Sequence, residues 1–365
     1  LIVYPVPDAL ANPVSQSACS GVNITDIQFT GSVSGTTFNW VRDNPGVTGS
    51  IATSGSGNIT GNLVNSSNIP VMVTFTVTPV ANGCPGAPII VTVLVNPTPD
   101  AVPSISSQNI CTGSDIIPIE ISSAVSGTAY NWVRDNPAVT GTIANSGSGN
   151  ISGTLINNSP LPVTVTFSVT PLANGCPGVS AIATVLVKPS PVAVATPASQ
   201  SVCNGIDITQ VVLSSTTPGT TFSWVRNNPG ITGTISNSGS GNISGSLVNS
   251  GNTPVTVTFT ITPTADGCQG PVNTLMLIVD PTPVLAQPVN QQICNGSATV
   301  PVSFNSTVTG TSFTWTNSNS TIGLPASGSG DIPSFTAING GDTSVTATVI
   351  VTPTGNGCLG DPNNL

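Results

Sequence analysis

The sequence predicts an all-β protein: a tandem array of four Ig-like β-sandwich domains of about 92 residues each. Three regularities carry that expectation. The four tryptophans, Trp40, Trp132, Trp224 and Trp315, are spaced 92, 92 and 91 residues apart. The eight cysteines keep the same period in two series, early Cys19, Cys111, Cys203 and Cys294 and late Cys84, Cys176, Cys268 and Cys358, separated within each repeat by 65, 65, 65 and 64 residues. Apolar side chains alternate with a period of two, and no amphipathic helical window of useful length occurs.

Taken in order, Leu1, Ile2, Val3, Tyr4 and Pro5 have the character of a sandwich's last strand running into a linker proline. The aromatic pairs Phe38/Trp40, Tyr130/Trp132, Phe222/Trp224 and Phe313/Trp315 each share one face of a strand, which places the tryptophans in the core between two sheets. Trp-Val-Arg-Asp/Asn-Asn-Pro follows in three repeats, whereas the fourth has Trp315, Thr316, Asn317 and Ser318. Gly-Ser-Gly-Asn/Asp-Ile recurs at Gly55, Gly147, Gly239 and Gly328. In the segment 255–262, Val255, Val257, Phe259 and Ile261 fall on one face and four threonines on the other, a core face and a wet face. The late cysteine follows in Asn-Gly-Cys-Pro-Gly or a close variant, a turn sequence.

Between repeats lie Pro97-Thr98-Pro99, Pro189-Ser190-Pro191 and Pro281-Thr282-Pro283, which favour extended, polyproline-like backbone and hence short stiff links. They divide the chain into domains 8–97, 98–189, 190–281 and 282–365, with 1–7 read as a terminal strand belonging to an adjacent copy's last domain. At ~3.3 Å per strand residue each domain is roughly 40 Å long, and four stacked end to end make a rod on the order of 100 Å or more.

Two cysteines per repeat read as four intradomain disulfides, Cys19 to Cys84, Cys111 to Cys176, Cys203 to Cys268 and Cys294 to Cys358. Zinc is disfavoured because paired CxxC spacing and histidine are both absent. Each bridge would close a loop of about 65 residues, about 4 kcal/mol in the chain-entropy model. Such bridges place the chain outside a reducing cytosol, in an extracellular setting.

Composition narrows the function. With Lys+Arg 4, Asp+Glu 13 and no histidine, and with Lys188 and Glu120 the single members of their kinds, the chain lacks the side chains of general acid–base catalysis and is not expected to be an enzyme. A net charge of -9 excludes phosphate neutralisation and so nucleic acid. The apolar stretches are far shorter than a membrane-spanning helix needs. Carboxylates such as Asp43/Asp135 and Asp115/Asp207 recur singly, too sparsely for a calcium cage, so neither metal nor cofactor is expected. Arg42, Arg134 and Arg226 beside the tryptophans could form glycan-binding pairs; the favoured expectation is a core tryptophan with the arginine over its edge or over the proline, paired with local Asp or carbonyl groups.

In complete repeats the late cysteine precedes the linker's first proline by 13 residues, and from Cys358 through Leu365 on to Pro5 the same count is 12. Repeat four thus lacks a final strand, and the segment beginning at Leu1 has that strand's character. Three expectations stay open: the 365 residues are one period of a longer array, separate subunits polymerise with the first strand of one completing the open sandwich of another, or the boundary is an arbitrary one with no assembly meaning. The first two predict a filament of copies joined end to end.

Thr-Thr-Phe-Ser-Trp, Gly-Ser-Gly-Asn-Ile-Ser, Pro-Val-Thr-Val-Thr-Phe-Thr-Ile-Thr-Pro-Thr-Ala-Asp-Gly-Cys and Val-Asp-Pro-Thr-Pro together resemble the PKD-like repeats of giant secreted surface proteins of Bacteroidota. The Gly-Asp-Gly signature of the PKD domain proper is missing, so the resemblance is to the PKD-like branch. It covers all four repeats and implies long adhesins and surface filaments exported by type IX secretion. The expected function is therefore an extracellular filament or stalk of a cell-surface adhesin, with copies of itself and surface glycans as candidate partners. The alternative is an array of carbohydrate-binding modules attached to a secreted enzyme.

Overall fold

A computed structural model describes the whole chain, Leu1–Leu365. Apart from one 3-10 turn at Ser320–Ile322, all regular structure is β. The chain divides into two compact units, Leu1–Pro189 and Ser190–Leu365. Each unit contains two Ig-like sandwiches with separate cores. In the first unit these centre on Trp40 with Phe75 and on Trp132 with Phe167. In the second they centre on Trp224 with Phe259 and on Trp315 with Phe304.

Repeat one illustrates the topology, with β1 at Leu10–Asn12, β2 at Ser15–Cys19, β3 at Gln28–Thr30 and β4 at Thr37–Arg42. The rest are β5 at Ser54–Ser56, β6 at Val71–Ala81, β7 at Cys84–Pro85 and β8 at Ile89–Asn96. The larger sheet has the order β2-β8-β6-β4-β5, with β7 added to β6, and β1 pairs with β3 on the opposite side. All pairings are antiparallel except β2 with β8, which run parallel from Ser15↔Thr92 to Cys19↔Asn96. Because β8 is central, it is apolar along one face: Val91, Val93 and Val95 are fully buried.

The recurring phrases now acquire physical reasons. Gly55 faces Trp40 across the β4–β5 ladder, and the indole leaves no room there for a Cβ. Gly57 turns the chain at φ 77° and its carbonyl accepts from Trp40 Nε1 at 3.1 Å. Asn58 Oδ1 then accepts from the Phe29 amide at 3.1 Å, tying the two sheets together, while Ile59 is fully buried. The indoles of Trp40, Trp132 and Trp224 stand edge-on to Phe75, Phe167 and Phe259 with centroids 5.8, 5.7 and 5.5 Å apart, a favourable aromatic geometry. Asn82 and Gly83, both at positive φ (50° and 77°), form the two-residue hairpin that joins β6 to β7.

Repeat four departs in two places. Val349 stands opposite Asn317 where the other repeats have a phenylalanine opposite arginine. Its final strand is confined to Asn363–Asn364, against eight residues in the other three repeats. Leu1–Tyr4 are exposed and lie in no sheet.

A Cβ at position 239 would collide with the Trp224 ring, so Gly239→Ala is expected to destabilise the third sandwich by about 1–3 kcal/mol. Urea unfolding followed by tryptophan fluorescence checks this, as an earlier transition in the variant.

Candidate functional site

Neither the arginines nor the tryptophans form an open ligand site. Trp40, Trp132, Trp224 and Trp315 are all buried. Arg42 spends its guanidinium on carbonyl oxygens of the loop that follows its strand: Ala52 at 3.0 Å, Asn44 at 3.1 Å, Val47 at 2.8 Å and Ile51 at 3.3 Å. Arg134 and Arg226 repeat that pattern, and burial pushes both of their pKa values down. In repeat four the loop between Trp315 and Gly328 is two residues shorter, and Asn317 reaches the equivalent carbonyls, Asn319 at 3.0 Å and Leu324 at 2.9 Å.

The carboxylates serve local backbone. Asp43 accepts from the Thr74 amide, and Asp135 from that of Thr166, each at 2.7 Å. The Ser32 amide and hydroxyl hold the Asp8 carboxyl below its ordinary range, and the Ser123 hydroxyl does the same at Asp100. No three His, Cys, Asp or Glu side chains gather as a metal site.

The chemistry-bearing feature is instead the junction between sandwiches, and here the cysteine expectation is overturned. Cys19 is bonded to Cys176 and Cys203 to Cys358, each with Cα atoms 5.5 Å apart. Each bridge therefore joins the early cysteine of one repeat to the late cysteine of the next. Cys111 and Cys268 are disulfide-bonded too, whereas Cys84 and Cys294 are free thiols. None of the pairs Cys19–Cys84, Cys111–Cys176, Cys203–Cys268 and Cys294–Cys358 forms, for a geometric reason. Cys19 ends β2 beside Asn96, level with the start of β6, while Cys84 faces Ala81 at the far end of β6. Ten residues of strand separate those levels, roughly 33 Å, against the ~7 Å limit between Cα atoms in a disulfide.

The same topology explains the observed pairing. β8 ends beside Cys19, and the chain passes through Pro97-Thr98-Pro99 into the next sandwich. There the carbonyl of Pro99 packs so tightly on Gly178 that a Cβ has no space, which seats the hairpin bearing Cys176 on the linker. Pro283 and Gly360 repeat this contact beside Cys358.

The second feature is a groove of about 910 Å³ in repeat four, lined by Asn290–Ile293 on one side and Ser344–Val349 on the other, with Leu365 at one end. In repeat three the equivalent walls, Ser199–Cys203 and the start of Val255–Ala265, are bridged by the strand Asn273–Asp280. Val202 and Val255 pack there against the core, whereas Ile293 and Val345 are exposed. The groove wall is nonetheless held in place: Gln291 exchanges two hydrogen bonds with Val300, at 2.8 and 2.9 Å, as Gln200 does with Thr209.

One recurring residue escaped the sequence reading. Buried Asn65, Asn157 and Asn249 each donate one amide hydrogen to the next turn and the other to a carbonyl of the last strand, Val95, Val187 or Val279, at 2.9–3.0 Å. Asn339 makes the turn bond, to Thr343 at 2.9 Å, and its side of the groove carries no strand carbonyl. Recurrence at the repeat period was the available signal, masked by the abundance of Asn in the chain.

A PKD-like domain model matches residues 16–99, 108–191 and 200–283. Among solved structures, the chain is similar to a three-domain Ig fragment of titin, I67–I69, at 13% identity over 76% of this chain and 100% of that one, TM-score 0.44. It is similar to mouse cadherin-23 EC22–24 at 14% identity, covering 76% and 98%, TM-score 0.35. Protocadherin gamma B7 EC3–6 matches at 12% identity over 99% of each chain, TM-score 0.32. No curated protein matches.

Peptide mapping without reduction is expected to recover Cys19 linked to Cys176 and Cys203 linked to Cys358. Because these bridges span sandwiches rather than closing loops inside them, reduction should leave the thermal midpoint within a few degrees while sharply increasing proteolysis at 97–100.

Proposed function

The chain belongs to the PKD-like domain family, and we propose that it is a structural segment of an extracellular filament or stalk at a cell surface, extended by copies of itself. Its domains are 8–97, 98–189, 190–281 and 282–365, and residues 1–7 complete the last domain of a neighbouring copy, by covalent continuation or by strand donation. The observation that carries this is the groove between Asn290–Ile293 and Ser344–Val349, whose walls match those that flank a strand in the other repeats.

Leu1–Tyr4 supply what the groove takes. Pro7, like Pro99, Pro191 and Pro283, packs its carbonyl on a hairpin glycine, which fixes the equivalence of the segments before them. Val3 then corresponds to Val95, Val187 and Val279, and Leu1 to Val93, Val185 and Leu277, all fully buried. Burying two such side chains contributes about 1.5–3 kcal/mol each. The carbonyl of Val3 would meet the Asn339 amide, as that of Val279 meets Asn249.

Disulfides at the junctions agree with an extracellular setting. The resemblance of the repeats to those of Bacteroidota surface proteins supports a role as an adhesin stalk exported by type IX secretion. Burial of the tryptophans and commitment of the arginines to loop carbonyls weigh against a carbohydrate-binding array.

Sedimentation velocity of the purified chain is expected to show concentration-dependent association, with end-to-end particles in negative stain. Val3→Asp should abolish it without changing the circular dichroism spectrum. A chain that stays monomeric at every concentration, or a Val3→Asp variant that associates as well as the parent, would sink the proposal.

A further inference from the structure

The free cysteines are not a random pair. Cys84 is a late cysteine and Cys294 an early one, and the interdomain bridges join an early cysteine to the late cysteine of the next repeat. We propose that Cys294 of one copy and Cys84 of the next form a disulfide that locks the junction between copies. This rests on the end-to-end reading above and adds a covalent bond to it.

Geometry supports the assignment. In the bridged junctions the early cysteine is the Cα partner of the last strand residue before the linker: Cys19 faces Asn96 and Cys203 faces Asp280. Tyr4 is the corresponding residue, immediately before Pro5, so a segment Leu1–Tyr4 seated in the groove of repeat four brings Tyr4 opposite Cys294. On the other side of the linker, Pro7 already packs its carbonyl on Gly86, two residues after Cys84. Pro99 does this on Gly178, two residues after Cys176, and Pro283 on Gly360, two residues after Cys358. Each copy thus carries both halves of the junction preassembled: an early cysteine on the groove wall and a late cysteine fixed to the linker of the strand that fills it. Cys294 is exposed and Cys84 half-buried, so both thiols are open to reaction before docking.

Bond formation consumes an oxidant, here a low-molecular-weight disulfide. The thiolate of one cysteine attacks the donor disulfide and releases one donor thiol. The partner's thiolate then displaces the second donor thiol from the mixed disulfide, leaving the Cys84–Cys294 bond and two reduced donor thiols.

The test mixes two full-length variants, Cys84→Ser and Cys294→Ser, in oxidised and reduced glutathione. The mixture is expected to give a covalent dimer on a non-reducing gel, and mass spectrometry of its digest a peptide pair containing Cys84 and Cys294. Each variant alone should remain at single-chain mass. Equal yields of Cys294–Cys294 or Cys84–Cys84 dimers, or no covalent product, would overturn the lock. The doubly substituted protein, Cys84→Ser with Cys294→Ser, separates this from the parent reading. If it associates in sedimentation and the mixture gives no specific cross-link, the lock fails and the end-to-end reading stands. If it does not associate and cross-links are unspecific, both fail.

Discussion

Each sandwich depends on its last strand. β8 is hydrogen-bonded on both sides, parallel to β2 and antiparallel to β6, and its buried valines form the middle of the core. The same strand leads without a loop into the proline linker, so the element that completes one domain also tethers the next. Asn65 adds a third hold, bonding the Val95 carbonyl from across the core. In repeat four, where the final strand is Asn363–Asn364, the wall residues Ile293 and Val345 are exposed.

That dual role sets the chemistry of the junction. The early cysteine terminates the strand paired with β8, and the late cysteine begins the short strand after the Asn-Gly hairpin. They occupy opposite ends of one sandwich and therefore meet across a junction, never inside a domain. Prolines keep the intervening backbone extended, and glycines at 86, 178, 270 and 360 allow the linker carbonyl to lie against the hairpin. A side chain at any of these four positions would push the late cysteine away from the linker.

Much of this was legible in the sequence because it is local or periodic. Alternation in the 255–262 segment gave a strand with one core face, and the spacing of Trp40, Trp132, Trp224 and Trp315 gave the repeat. The disulfide partners were not legible, since 65 residues of separation within a repeat says nothing about which end of the sheet each cysteine reaches. That is decided by the parallel pairing of β2 with β8, a contact 77 residues distant in sequence that no local pattern encodes. The arginines were read more nearly: their partners are local carbonyls, as one of the options had it, and these lie in the loop that follows the strand.

A junction of this kind is suited to carrying load with almost no charge. Tension transmitted through Pro97 acts along the axis of β8, whose ladder bonds to β2 and β6 lie across that axis, so many bonds resist sliding together instead of opening one at a time. The Cys19–Cys176 bond offers a parallel covalent path, passing force from the next sandwich into β2 beside β8. Within the loops, neutral amides and arginine–carbonyl bonds replace surface ion pairs, which salt would screen. At the Pro97 junction, ladder bonding and uncharged loop contacts thus belong to one arrangement, in which the linker continues a strand of the sheet.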